Sequence, residues 1–484
     1  VSTPILPGYH PDPSICRAGE DYFLINSSFE YFPGVPVFSS RDLLSWHQVG
    51  NVLDRDVQLN VVSGIEGASG GIYAPTIRYH DGRFWMITTN LHDVREGHII
   101  VSADHPAGPW TDPVYTRGLI GIDPDLAWDE RGDCYITWAD VIRGGISQAR
   151  IDPGTGTALS PVREIWRGTG GAHVEGPHVY TRNGWWYLLT AEGGTAAGHM
   201  ITVARAEAID GPYAPCPANP ILTHRSTSHP VQAVGHGDLI ELHDGSWAMV
   251  HLGTRPRGSF PKWHTNGRET FIVGIDWVED WPVVVEGRFT APDVDTSFED
   301  RFLEGRLHPR WLSPGVNPSS FATPGENGLT LLAGRQPAIA HASRLLAVRA
   351  TDLEWTASVQ GIGELALTVR IDDLHQATVQ RVGGKVVARV VIGPTDQDLA
   401  VLDGVPEDSA LTIRSVPYDV PAGQRKGPDR LILGLGVGAD FHELATVDGR
   451  YMSTEVAGGF TGRVVGMEAL GSNAIISRFT YSSP

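Results

Sequence analysis

Gly8-Tyr9-His10-Pro11-Asp12-Pro13-Ser14 leads into an apolar run, the turn Gly19-Glu20-Asp21 and the strand-like Tyr22-Phe23-Leu24-Ile25. The same order returns at Gly121-Ile122-Asp123-Pro124, with the turn Arg131-Gly132-Asp133, and at Val174-Glu175-Gly176-Pro177-His178, with the turn Asn183-Gly184. Two further copies lack the acid. Tyr73-Ala74-Pro75-Thr76-Ile77-Arg78 precedes Asp81-Gly82 and Phe84-Trp85-Met86-Ile87, and His236-Gly237-Asp238-Leu239 precedes Asp244-Gly245 and Trp247-Ala248-Met249-Val250. Strands flanking Asp-Gly or Asn-Gly are the strongest short-range hairpin signal. Five such units, each roughly 50–64 residues, suit a propeller of four-stranded blades. In a ring of blades, equivalent positions face one another across the axis. Asp12, Asp123 and Glu175 read as occupants of the same point of the unit, so three carboxyl groups distant in sequence are expected to share one pocket.

The blade pattern stops after Trp281-Pro282, and Thr290-Ala291-Pro292-Asp293 leads to a region with different alternation. Strands are expected at 354–359, 365–371, 376–382 and 386–392, the last two joined through Gly383-Gly384, with a surface loop over 417–429. The chain therefore reads as all-β: a five-bladed β-propeller over residues 1–292, then a jelly-roll-like β-sandwich over 293–484.

Composition narrows the partners. With 37 Lys and Arg against 56 Asp and Glu, the formal charge of -19 repels phosphate backbones and anionic membranes, so neither nucleic acid nor membrane is an expected partner. No apolar run reaches the length that spans a bilayer. Cys16, Cys134 and Cys216 are widely spaced and form neither a disulfide framework nor a zinc pattern; buried free thiols are expected. The first residues, Val1-Ser2-Thr3-Pro4, carry no signal-peptide pattern, and without an initial Met a trimmed leader stays open. The expected location is cytoplasmic, with a secreted form as the alternative.

Hydrolysis of a glycosidic bond with inversion needs a carboxylate that activates water and a carboxylic acid that protonates the leaving oxygen, about 6.5–9.5 Å apart. A third carboxylate can hold the acid protonated by like-charge repulsion. Taken singly, Asp12 between prolines reads as a turn or strand-cap residue, and Asp125 as a turn residue beside Asp123. The repeat gives the trio its weight.

Several words along the chain carry a resemblance: Pro11-Asp12-Pro13-Ser14, Ser28-Phe29-Glu30-Tyr31-Phe32-Pro33-Gly34-Val35-Pro36, Ser40-Arg41-Asp42-Leu43, Ala74-Pro75, Ile122-Asp123-Pro124, Glu175-Gly176-Pro177-His178 and Gly267-Arg268-Glu269-Thr270-Phe271. With these the sequence resembles family 43 glycoside hydrolases, in the group of β-xylosidases and α-L-arabinofuranosidases with a C-terminal β-sandwich. The resemblance implies Asp12 as general base, Glu175 as general acid and Asp123 as the residue that orients the acid and tunes its pKa. It implies Arg268 as a sugar-binding residue, and Phe29 and Tyr73 as aromatic walls of the subsite. His236 would neighbour a structural calcium ion in the propeller channel, with no cofactor required for the chemistry. Tyr73 stands where well-known xylosidases of the group have Trp, and Thr76-Ile77-Arg78 replaces their usual continuation, so the pentose is left open. Phe460, in Gly459-Phe460-Thr461-Gly462, is a further candidate for reaching the site.

The expected activity is exo-acting release of terminal α-L-arabinofuranosyl or β-D-xylosyl groups from neutral hemicellulose oligosaccharides. A non-catalytic carbohydrate-binding propeller and an endo-arabinanase are the rivals. A homo-oligomer is compatible with the sequence.

Overall fold

The computed structural model describes residues 3–64, 67–334, 344–418 and 424–484. Five antiparallel sheets fill the chain up to Val285. Their innermost strands are Ser14–Ala18, Thr76–His80, Ile122–Trp128, Glu175–Arg182 and Gln232–Glu241, one from each expected unit. Each packs against the next, and the fifth packs against the first, so the ring closes. The N-terminal segment fastens it: Ile5 N–H donates to Thr270 O (2.9 Å) on the fifth sheet, and Ile15 N–H donates to Asp238 Oδ2 (2.9 Å). At the tips, Asp81-Gly82 and Asn183-Gly184 hold positive φ at both residues, as two-residue hairpin turns demand. The 40–46 segment also joins two paired strands, Gly34–Ser40 and His47–Leu53, as a hairpin. All three thiols are free and buried among the blades.

Beyond the last blade strand, Trp281–Val285, two antiparallel sheets face each other. One carries Trp355–Ile362, Leu411–Val416, Arg430–Leu435 and Ala474–Ser482; the other carries Leu346–Arg349, Leu365–Asp372, His375–Val382, Lys385–Ile392 and Val464–Ala469. Buried Trp311, Phe321, Trp355, Leu367, Met467 and Phe479 lie between them. All four expected strands are present, each within a few residues. In the expected loop over 417–429, residues 419–423 lie outside the described ones.

The two halves share a core. Ser313–Pro314 pairs with Tyr31–Phe32, and Tyr9, Phe29 and Tyr31 of the propeller pack with Leu312, Leu345, Ala347 and Val464. Beneath this contact Arg370 Nη2 donates to Glu30 Oε1 (2.8 Å), with both side chains essentially unexposed, while Gly64 N–H donates to Glu30 Oε2 (2.7 Å). Glu30 follows Phe29 directly, so the ion pair anchors that aromatic wall to the sandwich.

Candidate active site

Four ring positions immediately before the inner-strand ladders hold a positive φ: Asp12 (51°), Asp123 (54°), Gly176 (56°) and His236 (49°). This left-handed region is sparsely occupied by side-chain-bearing residues, with Asp, Asn and His enriched, and persists where surroundings over-determine it. The ladders slip here, between Ile122 and Asp125, Glu175 and His178, and Gly235 and Asp238. Such bulges re-aim side chains next to functional sites. The register corrects one expectation: Glu175 is not at the point held by Asp12 and Asp123. It pairs with Ala191 as Ile122 pairs with Ala139, one residue earlier, and Gly176 takes the strained position. A Cβ on Gly176 would come 3.0 Å from His236 Nδ1, so the close approach of that ring, together with the positive φ, favours glycine here. In the second blade the matching residue is Ala74, and Tyr73 supplies the pocket wall.

Asp12, Asp123, Glu175, Phe29, Tyr73, Arg268 and His236 all line one cavity of about 130 Å³. Phe460 of the sandwich lines it too. Its ring stacks on Phe29 (centroids 6.0 Å, 29°) and meets Tyr73 edge-on (6.1 Å, 82°). The loop bearing it is tied to the propeller through its backbone N–H, which donates to Ser69 Oγ (2.8 Å).

Arg268 forks onto Asp12, with Nη1 donating to Oδ1 (2.8 Å) and Nη2 to Oδ2 (3.3 Å), and the Ser27 hydroxyl donates to Oδ2 (2.5 Å). Its neighbour Glu269 pairs instead with Arg255. Burial opposes the Asp12 charge, but Arg268, then His236 and Ser27, outweigh it and lower the carboxyl pKa. Glu175 moves the other way: burial, then the Asp12 charge, raise it from 4.5 to about 7, against Arg268. Asp123 accepts Gly176 N–H (3.1 Å) and is pushed well above the ordinary value by burial, Glu175 and Asp12. A doubly charged Asp123–Glu175 pair is penalised by burial and mutual repulsion, so the two keep at least one proton between them at neutral pH.

Two pocket residues escaped the sequence reading. His199 lines the cavity with Nδ1 donating to Ala233 O (3.1 Å); burial lowers its pKa to about 3, so it is a neutral imidazole whose Nε2 has no hydrogen-bond partner among the described residues. Thr195 Oγ1 accepts from Arg268 Nη1 (3.1 Å). Their only sequence signal is position, after the fourth blade's second strand, Trp185–Glu192.

Asp125 needs correction as well. It is no turn residue but a fully buried member of the third inner strand. One layer beneath the acids, the Arg78 guanidinium sits in the channel, 2.7 Å from Asp125 Oδ1 and 2.9 Å from Asp238 Oδ2, with Nη2 also 2.9 Å from His178 Nδ1. Asp238 further accepts from the hydroxyls of Ser14 (2.7 Å) and Tyr180. Calcium requires about six to eight oxygens at 2.3–2.6 Å. The carboxylates here already neutralise a guanidinium, and His236, whose pKa burial lowers to about 4, faces Asp12 Oδ1 at 3.8 Å. These residues do not fit a calcium cage.

The resulting pocket pairs an ionised carboxylate with a protonated carboxyl group between aromatic walls. Comparison with known proteins points the same way. The family model of glycosyl hydrolases family 43 matches residues 1–282. A non-reducing end alpha-L-arabinofuranosidase of Bacteroides ovatus is 34% identical, covering 97% of this chain and 91% of the relative. A xylosidase/arabinosidase of Butyrivibrio fibrisolvens is 42% identical over 59% of this chain and 57% of its own. The crystal structure of a xylan beta-1,4-xylosidase from Bacillus halodurans superposes with a TM-score of 0.86 at 30% identity, with both chains covered completely. A match over more than half of the chain, with relatives alike from end to end, makes this protein a glycosidase belonging to glycosyl hydrolase family 43.

Proposed function

We propose that the protein removes single terminal pentoses, α-L-arabinofuranosyl or β-D-xylosyl, from short neutral hemicellulose oligosaccharides, with inversion. One observation carries the reading: Asp12, held toward its charged form by Arg268, and Glu175, pushed toward its neutral form by burial and the Asp12 charge, face one small cavity that Phe460 of the sandwich helps to wall. Asp12 serves as the base that activates water, and Glu175 protonates the departing oxygen. Asp123 fixes the backbone beside Glu175 through Gly176 N–H and shares its proton. Arg268 keeps Asp12 ionised and, with Thr195 and His199, offers polar contacts to sugar hydroxyls, while Phe29, Tyr73 and Phe460 face its apolar surfaces. The chemistry runs without a cofactor.

The test compares kcat/KM for an aryl β-D-xylopyranoside and an aryl α-L-arabinofuranoside, alongside product analysis on linear xylo- and arabino-oligosaccharides. The expected result is turnover of at least one glycoside, with monosaccharide as the first product from the oligosaccharides. Internal cleavage to mixed oligomers would reverse the exo assignment, and turnover of neither glycoside would sink the pentose assignment. Phe460→Ala is expected to raise KM more than it lowers kcat, because the ring contacts sugar without touching the reacting bond.

A further inference from the structure

Behind the fifth blade lies a second cavity, of about 290 Å³, that shares no residue with the catalytic one. His224 and His229 converge there, with ring centroids 3.8 Å apart, and His224 Nε2 lies 3.0 Å from Glu286 Oε2. One nitrogen or oxygen from each of the three lies within 4.8 Å of the others. Both imidazoles reach the same main-chain oxygen. His224 Nδ1 is 2.8 Å from Val231 O and His229 Nδ1 is 3.0 Å from it, closer than its 3.2 Å contact with Val231 N–H. His229 Nδ1 can serve either the Val231 carbonyl or its N–H, leaving Nε2 for an ion in the first case. His224 Nδ1 donates to the Val231 carbonyl, which only accepts, and its Nε2 donates to the Glu286 carboxylate until an ion takes the place of that proton. That is the arrangement of metal-binding histidines, whose second ring nitrogen donates to a carbonyl or carboxylate. His251, whose Nδ1 lies 2.9 Å from Leu252 O, forms a neighbouring wall.

We propose that His224, His229 and Glu286 bind a first-row transition-metal ion of the zinc class. Two imidazoles and one carboxylate are a zinc donor set rather than the all-oxygen set of calcium or magnesium. Tetrahedral bonds of 2.0–2.1 Å place ligands about 3.3 Å apart. The His224–Glu286 contact is already near that spacing, and a small rotation of half-buried His229 closes the rest. The ion joins the 224–231 segment to the chain just after Trp281–Val285, where it leaves the propeller for the sandwich. It is a structural clip, and water completes its coordination because Glu286 is exposed.

The probe is Zn2+ added to EDTA-stripped protein, read by calorimetry and thermal unfolding for the wild type, His229→Ala and Glu286→Gln. The expected result is one zinc per chain in the wild type and a Tm rise of roughly 3 °C at a hundredfold excess over Kd. Either variant should bind at least about tenfold more weakly and lose the Tm response, with turnover of aryl glycosides unchanged. Co2+ in the wild type should give the visible absorption of a four-coordinate ion. Zinc heats and Tm response equal in wild type and variants would overturn the proposal, as would no stoichiometric binding by the wild type.

Discussion

Glu175→Ala gives the sharpest test of the proposed division of labour. In water a glutamate with the ordinary value of 4.5 is protonated in only about 0.3 per cent of molecules at pH 7. Burial and the nearby Asp12 charge bring Glu175 to about 7, so about half of the molecules carry the acid's proton at that pH. The wild-type kcat/KM profile should therefore fall on its alkaline side near pH 7, while the Arg268-paired Asp12 pushes the acid limb below the usual carboxylate range. A positioned general acid contributes about 10²–10⁴-fold, and only where the leaving group needs a proton. In Glu175→Ala, cleavage of an oligosaccharide should drop by that factor. An aryl glycoside with a strongly acidic phenol should lose far less, and its alkaline limb should disappear. Both substrates are assayed from pH 4 to 9 (about five units, spanning the alkaline limb). Equal losses on the two substrates, or an alkaline limb that survives the substitution, would refute Glu175 as the acid.

Asp123→Asn keeps an oxygen for Gly176 N–H but removes a carboxyl group that can charge. Its alkaline limb should stay near pH 7, because burial and the Asp12 charge raise Glu175, while Asp123, held well above its ordinary value, is still neutral as Glu175 titrates. A limb moved to lower pH would show instead that a charged Asp123 holds the Glu175 proton. Arg78→Met leaves Asp125 and Asp238 buried without their cation, which should cost about 3–5 kcal/mol in urea unfolding. A loss below about 1 kcal/mol would show the channel network to be relaxed by other groups. Since the guanidinium already occupies that layer and pairs with both carboxylates, added calcium should leave wild-type kcat/KM unchanged; a calcium requirement would contradict the channel geometry described above.

The blades were legible because their signals are local. Asp81-Gly82 and Asn183-Gly184 dictate turns through their own backbone preferences, and the aromatic strands after them alternate with the period of a pleated sheet. The sandwich strands around Gly383-Gly384 were readable for the same reason. The acids were legible through repetition: a ring converts equal places in different units into neighbours, so Asp12 and Asp123 could be brought together without coordinates. Register was not legible at that level. Glu175 stands one residue early because the bulge falls on Gly176, where a Cβ would crowd the His236 ring, and a contact between separate blades leaves no local trace.

Sequence alone thus determined the repeating strand-turn-strand unit, the all-β architecture and which carboxyl groups could meet, since these follow from short-range propensity and from a count of repeats. Only the tertiary structure decided what state those groups hold and what surrounds them. Arg268 reaches Asp12 across 256 residues of chain, Arg78 inserts between Asp125 and Asp238, and Phe460 arrives from another domain to wall the pocket. Charge state depends on burial and on the few ångströms separating groups. Those quantities exist only once the ring has closed and the sandwich has packed against it.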